Sequence, residues 1–558
     1  MIKTRLTSSL EKAFYDMPIE RFPTLSRLSV LRGERVSFQL LTTVCYENKA
    51  PDGSAHVRLT PTVKGELSEL VTLRQVKNVP VELPVSVDFG FDEHYLRTEP
   101  GMYPDILAPL DYASQVVAKR NLLSSVWIDI TVPRDSELSG EYELTLELCS
   151  DKGEAVTERL TVDVIPAALP EQTMYLTQWF HCDCLASYYN VPVWSEEHWR
   201  ITENFARVAV KNGINLLLTP VFTPPLDTAP GGERITNQLV GVTVTEGKYE
   251  FDFTLLDRWV EMCDRVGIKY FEISHLFTQW GAKSAPKVMA TVDGEYKRIF
   301  GWDTVATSPE YVTFLRTFLT EFIAHMKKNG NDKRCFYHVS DEPMRDHLEF
   351  YSQAKAAIAD LLDGYVIMDA LSEYEFYEEG IVSTPIPVNS NIAPFIEHGV
   401  KDLWTYYCCG QCVKVSNRLV AMPSWRNRSI GMQMFKYDIV GFLHWGYNFY
   451  NSMYSVSTVN PYLDLSGGHW VPAGDTFSVY PADDGTALES LRIVVFHDAI
   501  QDVSAMKLCA SLYSKDEVVE AIERIIGDTV TFDRCAYSAA DMLAVREKIN
   551  AMIKAKLV

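Results

Sequence analysis

Positive charge is scarce in this 558-residue sequence: 52 Lys and Arg stand against 74 Asp and Glu, a formal net charge of −22 at pH 7. Nucleic acids and anionic membrane surfaces select a Lys/Arg excess, so neither is an expected partner. Long apolar runs are missing too, since none approaches the roughly 20 residues that cross a bilayer. The opening MIKTRLTSSLEKAFYDMPIERF is broken by Lys3, Arg5, Glu11, Lys12 and Asp16, and it has no apolar core of the kind export signals carry. A disulfide framework is also absent. Eleven cysteines, an odd number, are scattered without regular spacing, which suits free thiols in a reducing compartment and a cytoplasmic location. HCDC (181–184) and CCGQC (408–412) lack the paired CxxC pattern of zinc sites. They read as buried thiols, and neither a metal nor a cofactor is expected.

What is present is ample core. Hydrophobic residues make up 47 % of the chain, and the length calls for two or three domains. Up to residue 166 the pattern has period two: RVSFQLLTTV (35–44), SVWIDITV (125–132), EYELTLEL (141–148) and RLTVDVI (159–165) alternate apolar and polar residues. Residues 1–166 therefore read as a β-sandwich, followed by a linker, PAALPEQ (166–172). From residue 173 strand and helix patterns alternate. Strands are expected at 174–180, 214–222, 269–274, 335–340, 363–369, 385–389, 403–407 and 441–448. Eight such units predict a catalytic (β/α)8 TIM-like barrel over 173–450, with residues 451–558 as barrel closure and helical tail. The sixth strand is the weakest, because its prolines suit a sheet edge.

The fourth strand runs into two acids, Asp341 and Glu342, followed by Pro343, in HVSDEP. One reading is a helix N-terminus, where such residues cap and favour the dipole. Against it, D-x-x-E at Asp346 and Glu349 supplies a separate helix start. Pro343 also disfavours helical backbone at Glu342 and predicts it extended. The pair then sits at the C-terminal rim of strand four, where barrel enzymes keep their catalytic groups. Adjacent residues on one extended segment diverge, so they cannot flank a sugar carbon from opposite faces as a two-carboxylate retaining glycosidase requires. Strand seven, LWTYYCCGQC, offers no second acid: Asp and Glu are absent from Leu403 to Tyr437. That absence suggests a substrate that carries its own nucleophile.

HVSDEP, LWTYYCC, GFLHWGYNFYN and YPADDGTALESLRIVVFHDAIQD resemble glycoside hydrolase family 123, the β-N-acetylgalactosaminidases, and the related domain of unknown function 4091. The resemblance covers roughly 174–505; YPADDG, in place of a compact Tyr-Pro-Gly turn, and the cysteine-rich TYYCCG depart from it. It implies a retaining exo-hydrolase of β-linked N-acetylhexosamine, foremost N-acetylgalactosamine, in which the 2-acetamido oxygen attacks the anomeric carbon to form an oxazoline. By the same match Glu342 is the general acid and later base, and Asp341 orients the acetamido group. Repulsion within the pair would help keep Glu342 protonated.

Sugar sites combine aromatic walls with a few polar groups. Strand ends offer Trp179 and His181, Tyr374, Trp404 and Tyr406, and Trp445 and Asn448. His338 shares the face of Glu342 by period two. Tyr406, then Tyr374, is the expected partner of the acetamido oxygen. The expected partner is thus a small glycan, with the oligomeric state left open, a homo-oligomer included. Two other readings stand beside this one. A two-carboxylate glycosidase would use Glu342 with Asp369, Glu373 or Glu375, and a non-catalytic carbohydrate-binding protein would retain the barrel alone.

Overall fold

The computed structural model describes residues 2–44, 56–110, 114–534 and 536–557. The chain divides into two compact units that interleave along the sequence. The first takes residues 1–173, 412–437 and 488–558; the second takes 174–411 and 438–487. The stretch 451–558, expected to form one region, is thus shared between them. Among the described residues no helix is long and apolar enough to cross a membrane.

The first unit holds two five-stranded sheets. One runs Ile2–Ser8, Arg35–Val44, Ser124–Thr131, Val71–Val81, Gly101–Pro109; the other runs Arg27–Arg32, Ala155–Ala168, Gly140–Ser150, His56–Lys64, Val116–Lys119. The period-two pattern explains the core. Phe38, Leu40, Val126 and Ile128 from one sheet meet Val57, Leu59, Leu144, Leu146 and Val162 from the other in one buried cluster. Helices complete the unit. Along Ala539–Leu557, Arg546 pairs with Glu34 (2.8 Å) and Lys554 with Asp163 (2.8 Å), while Asn550 bonds Ser29 (2.8 Å).

The second unit is the barrel. Its strands are β1 Tyr175–Gln178, β2 Leu216–Thr219, β3 Tyr270–Ile273, β4 Cys335–Tyr337, β5 Val366–Ala370, β6 Thr384–Ile386, β7 Trp404–Tyr406 and β8 Gly441–His444. All eight predicted strands are present. They pair in parallel in the order β6-β5-β4-β3-β2-β1-β8-β7. Among the described residues, a bridge between Val388 and Tyr406, the Tyr406 N–H on the Pro387 carbonyl (3.3 Å) and the bond from Thr405 Oγ1 to that carbonyl (3.0 Å) join β7 back to the β6 end. The weak sixth strand is therefore the seam of closure, and its prolines remove ladder donors there.

Inward side chains fill the barrel in layers, as the alternation of strand faces requires. The lowest layer is aromatic: Tyr175 stacks on Trp404 (5.5 Å between centroids, 5° between planes), against Phe336 and Tyr270. Above it lies an ionic layer. Glu272 on β3 accepts hydrogen bonds from Thr177, from Trp179 Nε1 (2.7 Å) and from His338 Nε2 (2.7 Å). The rim of the barrel lies above both.

Candidate active site

Beyond β4 the buried residues His338, Val339 and Ser340 carry the chain to Asp341 and Glu342. Asp369 on β5 holds this segment, accepting the backbone N–H groups of Val339 (3.1 Å) and Ser340 (3.3 Å) and the hydroxyl of Tyr351. The Asp341 carbonyl then accepts the N–H of Trp280 (2.9 Å), and the N–H of Glu342 donates to the carbonyl of Ala370 (3.0 Å). Glu342 is not extended as expected; its φ is +41°. Proline at 343 excludes right-handed helical backbone but not this left-handed turn, and the bond to Ala370 selects it. Such a conformation costs a non-glycine residue about 1–2 kcal/mol, strain of the kind that collects at functional sites. The pair lies outside any helix, since the next α-helix begins at Leu348. Asp346 does not cap that helix, as D-x-x-E had suggested, but sits within a 3-10 turn, Arg345–His347.

Both acids open into a cavity of about 270 Å³ at the barrel mouth, room on the scale of one sugar ring. Five predicted residues line it: Asp341, Glu342, Tyr406, Trp179 and Trp445. The Tyr406 hydroxyl donates to Glu342 Oε1 at 2.5 Å, so its partner is the acid. Trp445 forms another wall, its Nε1 held by Asp475 (2.8 Å).

The other five predicted residues stand elsewhere. Trp404 belongs to the aromatic barrel floor. His338 is wholly buried between Glu272 and Asp369 rather than beside Glu342, because the strand ends at Tyr337 and period two does not carry past it. His181 supports the wall from behind: Nδ1 accepts from Arg234 (3.1 Å) and Nε2 donates to the Trp445 carbonyl (2.9 Å). Asn448 clamps the backbone of His181 through both amide atoms (2.9 and 3.2 Å). Tyr374 stacks on His398 (4.5 Å) and touches Phe395. Asp369 is likewise committed to backbone, and none of Asp369, Glu373 and Glu375 lines the cavity.

Residues 179–509 match the description "Glycoside hydrolase 123, catalytic domain", more than half of the chain. The chain belongs to glycoside hydrolase family 123. A family 123 glycoside hydrolase from Clostridium perfringens, studied for glycolipid glycan hydrolysis, shares the fold with a TM-score of 0.73. That likeness covers 100 % of this chain and 98 % of the other at 15 % identity. A Bacteroides ovatus GH5 xyloglucanase aligns over 85 % of this chain and 98 % of its own, at 6 % identity and a TM-score of 0.26. Curated proteins give no match.

The electrostatics of this family 123 site raise both acids above the ordinary carboxylate range. Burial, then the charge of Glu342, then that of Asp227 push Asp341 well above the usual carboxylate range. Burial raises Glu342 as well, opposed by the Tyr406 hydrogen bond and reinforced by Asp475. Below them, burial alone would lower His338, but hydrogen bonds to Asp369 and Glu272 push it up to about 10. Both of its ring nitrogens face carboxylates, which favours the imidazolium.

Sequence reading missed part of the lining: Asp227 and Gln279, Trp280 and Trp470, Met453 and Tyr454, and the thiols of Cys408 and Cys409. The thiols had been read as buried, yet both are partly exposed at the cavity. Asp227 is the first acid after β2, a signal that was legible; Trp470 and Tyr454 come from a long segment after β8 that carries no periodic pattern.

Proposed function

We propose that this glycoside hydrolase is a retaining exo-β-N-acetylhexosaminidase, with β-linked N-acetylgalactosamine as its foremost substrate, acting through an oxazoline formed by the substrate's own acetamido group. The observation that carries this reading is the Asp341–Glu342 pair itself. Two neighbouring half-buried acids lie on one rim segment, with a tyrosine hydroxyl on Glu342 and both carboxyl groups raised above their ordinary range. One proton held by such a pair gives the two states that substrate assistance uses, an acid and a carboxylate side by side.

In this mechanism Glu342 gives its proton to the glycosidic oxygen as the bond to the anomeric carbon breaks. Asp341 accepts the acetamido N–H, turning the carbonyl oxygen toward that carbon and balancing the positive charge that develops on the ring. Glu342, now a carboxylate, takes a proton from water as water opens the oxazoline, and the anomeric configuration is retained. Tyr406 holds Glu342 on the leaving-group side and is free to move its donor to substrate when Glu342 is protonated. Trp179 and Trp445 supply apolar walls for the C–H faces of the sugar. The glycolipid glycans of the Clostridium perfringens relative make a terminal sugar on a lipid-linked or free glycan a reasonable class to try, together with small internalised glycans.

The test is a panel of nitrophenyl β-glycosides with and without the 2-acetamido group, read with the configuration of the first-formed product. Turnover confined to acetamido sugars, retention, and tight inhibition by a stable oxazoline mimic are expected. Equal turnover of sugars lacking the acetamido group would remove substrate assistance.

A further inference from the structure

Asp227 is the lining group that the acetamido mechanism leaves unused. It stands in the loop after β2, in the same cavity as Asp341 and Glu342. Its backbone is fixed from both sides: the N–H donates to Gln279 Oε1 (2.7 Å), and the carbonyl accepts the hydroxyl of Ser455 (2.8 Å). Gln279 is itself anchored, donating through Nε2 to the Thr228 carbonyl (3.3 Å). These bonds hold Asp227 at φ +45°, a strained value for a residue with a side chain. Among the described residues its carboxylate has no hydrogen-bond donor. The nearest cation, Arg234, is spent on Asp183 through two bonds (2.8 and 2.7 Å). A strained backbone that holds a half-buried carboxylate at the cavity, with no protein donor on it, suits a group whose donors come from a ligand.

We propose that Asp227 is a specificity-determining residue: its two oxygens accept hydrogen bonds from two hydroxyl groups of the non-reducing sugar, on the ring edge remote from the scissile bond. In a glycoside hydrolase Glu342, with Asp341 and Tyr406 next to it, would serve the anomeric carbon. What remains of a hexopyranose is a set of hydroxyl donors, and a carboxylate with two free oxygens matches a pair of them. Burial pushes Asp227 up to about 7, with Arg234 opposing and the charges of Glu342 and Asp475 adding to the rise; hydroxyl donors would relieve that desolvation. Hydroxyl groups that donate to Asp227 cannot carry a further sugar, which makes the enzyme act on chain ends. The proposal needs only the glycoside hydrolysis of the family and not the acetamido step.

The experiment compares the wild type with Asp227→Asn and Asp227→Ala on an aryl β-glycoside of the preferred sugar and on its 3-, 4- and 6-deoxy analogues. In the wild type, loss of a hydroxyl that meets Asp227 should lower kcat/KM about 10- to 100-fold, the range for a hydrogen bond to a charged group. Asp227→Asn should be impaired on the parent by a similar factor, and the penalty for that same analogue should shrink to within about threefold, because the interaction is already broken. A merely structural role would depress parent and analogue alike and leave the penalty unchanged, which would overturn the proposal. Azide rescue of Asp227→Ala with an inverted product would also overturn it, by making Asp227 the nucleophile. Activity on sugars lacking the acetamido group would sink the oxazoline mechanism and leave this result readable on its own terms.

Discussion

On the proposed mechanism Asp341 and Glu342 differ in what each loses on conversion to its amide. Glu342→Gln takes away the proton that the leaving group needs, so poor leaving groups should suffer most, within the about 10²–10⁴-fold that general acid–base assistance contributes. Activated aryl glycosides should be largely spared in the first step. Asp341→Asn instead weakens the positioning of the acetamido group, and its defect should persist with every leaving group. Steady-state kinetics with two leaving groups per variant separates the two; identical responses would contradict the assigned roles. Tyr406→Phe adds a third comparison. The Tyr406 hydroxyl favours the charged form of Glu342, so its loss should move the alkaline limb of the kcat/KM profile to higher pH, and an unmoved limb would show that the bond matters little to Glu342.

The strands of the barrel were legible because their patterns are local: short apolar runs between helical stretches, each ending at a polar rim. The acid pair was legible for the same reason. Its backbone was not, because the left-handed turn at Glu342 is imposed by Ala370 on a neighbouring strand and by Trp280 from another loop. Trp404 and Tyr406 show how little one residue of phase decides. Both point inward from β7, yet two residues along the strand separate the aromatic floor from the cavity. His338, Asn448, His181 and Tyr374 carry polar groups suited to sugars, but their partners come from distant segments that no sequence pattern joins to them. Two predictions belong to these elements. Gly441 on β8 faces Trp404, and an added Cβ would come within 2.1 Å of the indole ring. Gly441→Ala should therefore destabilise the barrel by about 1–3 kcal/mol, the range for overpacking a filled core; an unchanged urea midpoint would contradict this packing. The ionic layer sets a pH dependence. His338 has its pKa raised from 6.5 to about 10, so the folded state binds a proton that the unfolded state releases. Its contribution is complete below pH 6.5 and is lost as pH rises through about 10. Urea unfolding across that window should show stability falling for the wild type and a flatter profile for His338→Gln; parallel profiles would count against the imidazolium.

At the scale of the molecule, the first unit draws on both ends of the chain and on residues 412–437 between barrel segments. That arrangement was invisible to a linear reading, which divides a chain only at its composition changes. It predicts that residues 1–173 alone lack the helices that cover their sheets, among them Ala539–Leu557 with its bonds to Ser29, Glu34 and Asp163. The isolated fragment should show strand signal in far-UV circular dichroism but little near-UV signal and poor solubility. A sharp, cooperative unfolding transition of that fragment would contradict it.

The same interleaving sets an order of events during synthesis. Every segment of the barrel unit, up to residue 487, leaves the ribosome before the helices of 488–558 that the sheet-bearing unit requires. The earliest-made residues must therefore wait longest for their partners, with the apolar faces of two sheets only partly covered meanwhile. A message cut short before the helix Ala539–Leu557 would yield chains with a finished barrel unit and an unfinished sheet-bearing unit, recognisable to chaperones and proteases by that exposed surface. A docked helix Ala539–Leu557 would then act as a receipt that translation has passed through it.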